Sequence, residues 1–563
     1  MIRALLLLSV VAGCTETIRI QADSLEGLVA LEVYPSDAVV TVTDLAPPEH
    51  TLQFVAIGRF SDGTTRDVTP LVGWSIDNVW LGAFDGNGLF TASQTAAGHA
   101  AVTIRAHGEL ASAPLTVIID ATIVDTAFPP PRAGLFEATP ASGGPTISYP
   151  TTGTRFPQGL ASTLFQFGTG TSYDAYRLRF DSDVMHLKIE TGAKRWQATG
   201  ALQSLLEGSG REGPISLTVD GTSSTGQGTV FASTPITLEY SRDTPDTPLF
   251  YWSASTNGVM RASLRSATAS KLYPSSTTCV GCHAISKNAS SMAMGYDNTI
   301  STDLEQIDVA TLTPTIPATT RQPMGWATYS PDGSKLVVAN NGVLTLLDAA
   351  NGTSLGIVPL PAMRYATHPD WSPDGAYLAV ALTSQTPNNL DVKSAGIARI
   401  PYNNGAWGAP EVLVNGSASS NNYFPKWSPD GRYLAFVHAT SASQGAKSAE
   451  LLVMPAEGGS PIYLSTASHR IASGNVGDLA NTMPSWGPPQ PEHMWLAFVS
   501  ARPYGDLIPT GGRGQIWITS LDLDASTDSS TPAFWLPCQD VTVLNNNPVW
   551  TSLVLTIRPE PGR

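Results

Sequence analysis

Between Leu28 and about Ala121, hydrophobic and polar residues alternate in short runs, as in Leu52-Gln53-Phe54-Val55-Ala56 and Val102-Thr103-Ile104-Arg105-Ala106. Asp62-Gly63 and Asp85-Gly86-Asn87-Gly88 interrupt them. Period-two runs broken by such turn pairs predict strands, and many at close spacing predict a β-sandwich. Residues 133 to about 245 repeat the pattern, with Tyr176-Arg177-Leu178-Arg179-Phe180 and Ile215-Ser216-Leu217-Thr218-Val219. The C-terminal half carries a different signal. Ser330-Pro331-Asp332-Gly333, Ser372-Pro373-Asp374-Gly375 and Ser428-Pro429-Asp430-Gly431 are each followed by an apolar strand. A degenerate copy starts at Pro484-Ser485-Trp486-Gly487-Pro488 and resumes at Trp495-Leu496-Ala497-Phe498. Intervals of about 40–55 residues suit a four-stranded propeller blade with loop insertions. Pro presets φ, Asp bonds the backbone and Gly takes positive φ, so these residues build turns.

Composition agrees. The chain of 563 residues has 50 glycines and 43 prolines, a turn-rich content that favours short strands over long helices. Its length predicts several domains. Lys and Arg total 31 against 46 Asp and Glu, giving a net charge of −15. Without a basic stripe, such a chain has no electrostatic reason to hold nucleic acid or an anionic membrane face. Asp62 and Asp85 read as turn residues, since no loop has the oxygen-ligand spacing of an EF-hand.

The turn repeat resembles the TolB-like propeller family, which implies six blades. Ser286 to Met294 overlays Ser428 to Phe436 as a degenerate first blade, and later blades begin near 326, 368, 424 and 483. Pro548-Val549-Trp550 matches Pro425-Lys426-Trp427, and Leu553-Val554-Leu555 offers a following strand. Leu249-Phe250-Tyr251-Trp252, a turn at Asn257-Gly258 and Val259-Met260-Arg261-Ala262 read as an outer hairpin. Ring closure follows as an expectation: residues 249–266 complete the blade begun by 545–558. The order of strands and turns in 28–121 resembles the bacterial Ig-like domain, group 2. The predicted architecture is all-β: two Ig-like or fibronectin-like sandwiches, at 28–121 and 133–245, then a six-bladed TolB-like β-propeller at 246–563. A Pro-rich linker at 122–132, containing Pro129-Pro130-Pro131, separates the sandwiches.

The first residues carry an address. Arg3 is followed by an apolar run from Ala4 to Ala12, too short to span a bilayer, and then Gly13-Cys14. This resembles the bacterial lipobox. The resemblance implies a signal peptide at 1–13, lipidation of Cys14, a linker at 14–27, and a membrane partner reached through the lipid. Thr15 in place of Asp implies an outer-membrane lipoprotein, at the periplasmic face or the cell surface.

The chain contains four cysteines: Cys14, Cys279, Cys282 and Cys538. Cys279-Val280-Gly281-Cys282-His283 is the C-x-x-C-H signature of c-type haem attachment. Two intervening residues let one turn of chain present both sulfurs to the vinyl groups, and the adjacent imidazole reaches the iron. The motif resembles that of cytochromes c, which implies haem c on Cys279 and Cys282 with His283 as proximal ligand. Met292 or Met294 is a candidate sixth ligand, and Met324, His368 and Met483 lie at predicted blade starts. Two alternatives stay open: a disulfide, between Cys279 and Cys282 or from either to Cys538, or a zinc site including Cys279, Cys282 and His283. Cys538 otherwise reads as a small buried thiol.

No H-E-x-x-H or Walker A motif occurs, so no metalloprotease motif is present. A G-x-S-x-G string stands at Gly352–Gly356 within the blade repeat, and a G-x-G-x-x-G string at Gly208–Gly213. Neither has the strand–turn–helix context that would make it a hydrolase or nucleotide-enzyme motif. The expectation is a surface-anchored lipoprotein with one covalent haem c, transferring electrons or sensing redox state through a protein partner at the propeller face. The alternative is a non-catalytic protein- or glycan-binding scaffold with a structural disulfide and no haem.

Overall fold

The computed structural model describes residues 24–46, 50–129, 134–168, 172–225, 228–274, 280–296, 302–320, 322–469 and 479–551. The segment 1–13 expected as a signal peptide, Cys14 expected to carry lipid, Cys279 and part of both expected linkers lie outside the described residues. Among the described residues nearly every element is a strand, and Gly200–Ser209 is the α-helix. No helix there is long and apolar enough to cross a membrane.

The chain divides into two compact units, residues up to 121 with 183–186, and the remainder. In the first, Leu28–Tyr34 pairs antiparallel with Val55–Phe60, which pairs with Thr65–Asp67. Gly98–Ala106 lies antiparallel to Gly73–Ile76 and to Glu109–Val124, and the latter also takes Ala38–Val42 in parallel. Alternation sets the burial: Leu115, Val117 and Ile119 point inward and their neighbours outward. Phe54, Trp74, Phe84 and Phe90 fill the core, with Trp74 stacked on Phe84 at 5.1 Å. Asp62 and Asp85 accept backbone N–H bonds from Thr64 and Asn87, so both build turns.

The second unit holds the remaining sandwich strands and the propeller. Ser162–Phe167 pairs with Ile147–Tyr149 and Arg195–Thr199 in one ladder, and Ile215–Thr222 pairs with Ala175–Asp181 and Ile236–Tyr240 in another. The chain leaves this sandwich at Asp243, whose carboxylate is fully buried. It accepts bonds from Glu492 N, His493 Nδ1 and Trp495 Nε1, each at 3.0 Å. Burial opposes ionisation there, but these donors outweigh it and hold the carboxyl below its usual range. A second tie joins Gln166 Oε1 to Asp506 N at 2.8 Å.

The propeller has six blades. Five are consecutive, starting with the inner strands Val280–Ile285, Trp326–Tyr329, Tyr365–Trp371, Asn421–Trp427 and Thr482–Trp486. The sixth closes the ring, as the sequence predicts. Its order is Ser270–Tyr273, Gly258–Ala262, Leu249–Ser253 and then Asn545–Trp550. Leu249 faces Trp550 and Ser253 faces Asn545. One detail differs from expectation. The segment before blade one supplies three strands, not a hairpin, and among the described residues the C-terminal segment supplies the innermost. Leu249–Ser253 lies beside Asn545–Trp550, and the expected strand at 553–555 lies outside the described residues.

Apolar clusters lie between neighbouring blades. Phe250, Val259, Val280, Met292, Met294 and Ile307 join blade six to blade one, which makes the closing seam a core like the others. The Ser-Pro-Asp-Gly turns have one geometry. Ser428 Oγ donates to Asp430 Oδ1 at 2.6 Å and accepts from Tyr433 N at 3.0 Å, and Gly431 takes φ 74°. Blade one keeps this turn with other residues: Ser286 Oγ donates to Asn288 Oδ1 at 2.7 Å, and Ala289 takes φ 54°. The overlay of Ser286 on Ser428 therefore holds in three dimensions.

Candidate functional site

The inner strands also share a second feature. In five of the six blades the ladder slips by a bulge, between Gly281 and Ala284, Thr367 and Asp370, Tyr423 and Lys426, Thr482 and Ser485, and along Asn546–Val549. At each bulge one non-glycine residue takes the left-handed conformation: Cys282 (φ 47°), His368 (51°), Phe424 (53°), Met483 (51°) and Asn547 (49°). All five hold the same place, four residues ahead of the turn residues Ser286, Ser372, Ser428, Gly487 and Thr551. In four of them proline follows, which excludes the right-handed helical region for the residue before it. A non-glycine residue in this region costs about 1–2 kcal/mol. Blade two places Trp326 at the corresponding position.

All of these positions but that of Cys282 line a cavity of about 420 Å³ on the propeller axis. Trp326, His368, Phe424, Met483 and Asn547 line it, with His283. Trp326 packs edge-on to Phe424 (4.9 Å) and to His368 (5.0 Å), and the His368 ring lies 3.8 Å from that of Phe424. The Lys426 ammonium sits 3.0 Å from Asp370 on the same wall.

His283 immediately follows the bulge residue Cys282 and is 3% exposed. Its Nδ1 lies 3.2 Å from Asn547 Nδ2, which also donates to the His283 carbonyl at 3.2 Å. Its Nε2 is buried and has no hydrogen-bond partner. Burial drives its pKa down to about 3; the neighbouring Phe250 backbone opposes this and Lys426 adds to it. The imidazole is therefore neutral at ordinary pH. Cys282 is a half-buried free thiol, and burial pushes its pKa up to about 12. Such a thiol is a poor nucleophile and a poor source of thiolate. Cys538 is also free, and burial pushes it to about 12.

The other candidates divide cleanly. Met292 and Met294 are fully buried in the seam between blades six and one, and neither lines the cavity. Both point to one face of Ser291–Tyr296, and that face is packed against Phe250 and Val259. Met324 is buried between blades one and two. His368 and Met483 do reach the cavity with His283. Among the described residues, the group of three or more His, Cys, Asp or Glu side chains close enough to share a metal is Asp243, Glu492 and His493, remote in sequence from the motif. The Asp243 carboxylate is already taken up by hydrogen bonds at the sandwich–propeller seam. Residue-by-residue reading missed the part of Asn547 and Lys426 in this site. Aligning the blades on their turns would have found both, because each falls in the x-Pro-x-Trp stretch before the turn.

Three features of the residues present bear on a c-type haem; Cys282 does not line the cavity, and Cys279 lies outside the described residues. The His283 imidazole keeps Nε2 without a hydrogen-bond partner, although the Asn547 amide N–H faces Nδ1, the nitrogen from which a ligating imidazole donates. A thioether at Cys282 would carry no charge into a site that disfavours thiolate. The cavity volume falls within the range of about 300–1,000 Å³ for ligand and cofactor pockets.

No family model matches the chain. A Sulfurisphaera tokodaii protein provisionally named as a Tricorn-like protease C-terminal subunit is 27% identical over 110 residues, 20% of this chain and 12% of its own length. Among solved structures, TolB from Acinetobacter baumannii is similar at 13% identity, covering 60% of this chain and 79% of its own, with a TM-score of 0.34. Hydrazine synthase from Kuenenia stuttgartiensis is similar at 13% identity over 52% of this chain and 93% of its own, with a TM-score of 0.34. The dihydro-heme d1 dehydrogenase NirN is similar at 14% identity over 52% and 55%, with a TM-score of 0.32. Likenesses at these scores carry no functional argument; the propeller rests on this chain's own blades.

Proposed function

We propose that the propeller holds one covalent haem c on Cys279 and Cys282, with the His283 imidazole on the iron, and that the protein transfers electrons or senses redox state. The observation that carries this reading is the unpartnered, buried Nε2 of His283 beside the axial cavity, within a C-x-x-C-H sequence. A buried polar atom left unpaired costs about 1–3 kcal/mol, and a bond to a metal removes that cost. The haem supplies one-electron exchange when bound. The chain's residues hold the imidazole neutral, fix its plane through Asn547 and line the cavity with Trp326 and Phe424, which exclude water. Cys282 and Cys538 are not bonded to each other, which counts against that pairing, and Cys279 lies outside the described residues.

The same proposal carries the address. Cys14 bears lipid, the anchor lies in the outer membrane at the periplasmic face or the cell surface, and the sandwiches hold the propeller away from it. The partner is a redox protein at the propeller face. Expression in a host competent for cytochrome c maturation tests the reading. The exported protein should show a Soret band that survives acid-acetone extraction, and a haem-mass adduct on the peptide holding Cys279 and Cys282. An unmodified peptide from such a host overturns the haem reading and leaves a binding scaffold. Lipid mass on Cys14, and loss of membrane association in Cys14→Ser, test the anchor separately.

A further inference from the structure

The wall that blades two to four give the axial cavity has a chemistry of its own. Trp326, His368 and Phe424 meet there as one aromatic cluster, Trp326 edge-on to both and the His368 ring 3.8 Å from that of Phe424. The Trp326 indole N–H is taken up by the Asn389 carbonyl at 2.8 Å. His368 is different. It is 5% exposed, and its Nδ1 is buried with no hydrogen-bond partner. Burial, with Lys426 adding to it, holds its pKa well below the usual value, so the ring is neutral and carries one N–H. Its backbone is strained at φ 51°. Strain and an unsatisfied buried polar atom at one residue both call for an offsetting contact.

Lys426 completes the wall. Its ammonium donates to Asp370 Oδ1 at 3.0 Å, and an ammonium has three donors to give. Asp370 is committed, since its Oδ2 accepts the Trp427 N–H at 2.8 Å. The charged residues that line the cavity are two lysines, Lys287 and Lys426, against one aspartate, Asp370. The wall thus sets donors in excess beside a flat apolar face. The net charge of −15 repels anions at a distance, but salt screens that repulsion beyond about 8 Å, and partly buried donors in contact escape the screening.

We infer that this wall binds a small organic acid, its carboxylate held by the Lys426 ammonium and the His368 N–H and its flat apolar body laid against Trp326 and Phe424. A carboxylate on an ammonium makes the stronger, charge-assisted class of hydrogen bond. The cavity of about 420 Å³ has room for such a ligand. The inference goes beyond the haem reading and does not rest on it, because none of these four side chains belongs to the C-x-x-C-H stretch.

Calorimetric titration with benzoate tests it, on the full-length chain produced without cytochrome c maturation so that no haem is attached. Benzoate should bind, its neutral isostere benzamide more weakly, and the cation benzylamine not at all. His368→Phe, which keeps an aromatic ring and loses the N–H, should weaken benzoate by about threefold to tenfold. Lys426→Met combined with Asp370→Asn removes the ammonium without leaving a lone carboxylate. It should weaken benzoate about tenfold or more and leave benzamide unchanged. Should that paired variant fail to fold, His368→Phe and the difference between benzoate and benzamide decide alone. No benzoate binding at millimolar concentration, benzylamine binding as tightly as benzoate, or full benzoate affinity in the folded variants overturns the inference. Haem content in a maturation-competent host bears only on the earlier reading, so the two can fall separately.

Discussion

The inner strands of the propeller are held at two places, and the two follow opposite rules. At the turns, side chains recur: Ser and Asp hold the same bonds in three blades, with Ser330, Ser372 and Ser428 donating to Asp332, Asp374 and Asp430 at 2.5–2.6 Å. At the axial bulges only the backbone recurs. Cys282, His368, Phe424, Met483 and Asn547 share one left-handed φ and nothing chemical. Each turn must close with its own hydrogen bonds, so its residues are prescribed. The bulge is set by the ladder slip, with no side-chain bond of its own to keep, so in four of these five blades its side chain is free to serve the cavity.

The strongest challenge to this picture is to open the ring. Removing residues 545–563 deletes the innermost strand of blade six and bares the edge of Leu249–Ser253. The propeller should then lose its cooperative thermal transition entirely. A truncated protein that melts at the wild-type temperature would show that closure does not hold the blades.

Next in size is a turn. Ser428→Ala removes the acceptor of the Tyr433 N–H and the donor to Asp430. The loss should be about 1–3 kcal/mol by chemical denaturation, with the orphaned N–H as the cause. At the axis, Met483→Leu keeps volume and leaves the backbone alone, so it should cost less than about 1.5 kcal/mol. If Met483→Leu destabilises more than Ser428→Ala, the distinction between prescribed turn and free axis fails.

A smaller effect has the opposite sign. Ala289 is the blade-one counterpart of the turn glycines and sits at φ 54° without glycine's freedom. Ala289→Gly should raise stability by about 1 kcal/mol, read as a higher melting temperature. Methyl burial could cancel part of that gain, since Ala289 is fully buried.

The smallest effect is with pH. The Ser330 hydroxyl and the Ser334 N–H and hydroxyl hold the Asp332 carboxyl down at about 2, against an ordinary 3.8. At Asp374 and Asp430 burial pushes the other way, but hydrogen bonds led by those from Ser372 and Ser428 leave both lowered. A carboxyl with a depressed folded pKa stabilises above its unfolded value and loses that contribution as pH falls through the folded one. Melting temperature should therefore fall between about pH 4 and 2. The combined Asp332→Asn, Asp374→Asn and Asp430→Asn variant should show a shallower fall over that window. An equal slope in both proteins would place the acid sensitivity elsewhere.

Much of the architecture was legible because short-range rules wrote it. Period-two patterning placed the strands, Ser-Pro-Asp-Gly placed the blades, and the resemblance of Pro548-Val549-Trp550 to Pro425-Lys426-Trp427 pointed to closure. The strand Ser270–Tyr273 escaped notice, since Ser-Lys-Leu-Tyr is too short and too polar to announce itself. In the site, the C-x-x-C-H spelling singled out Cys282 and His283. Nearness in sequence favoured Met292 and Met294, and strand alternation turned them into the seam between blades.

The sequence by itself determined which residues build turns and strands, because those choices depend on φ, ψ and hydrogen bonds within a few positions. It also determined that one short stretch carries two thiols and an imidazole. Only the tertiary structure decided which side chains meet on the axis, since His283, His368 and Asn547 come from blades far apart in the chain. Their meeting depends on six sheets closing in a ring, and on a bulge in each of their inner strands that aims one residue inward. That is a sum of long-range contacts which no local pattern contains.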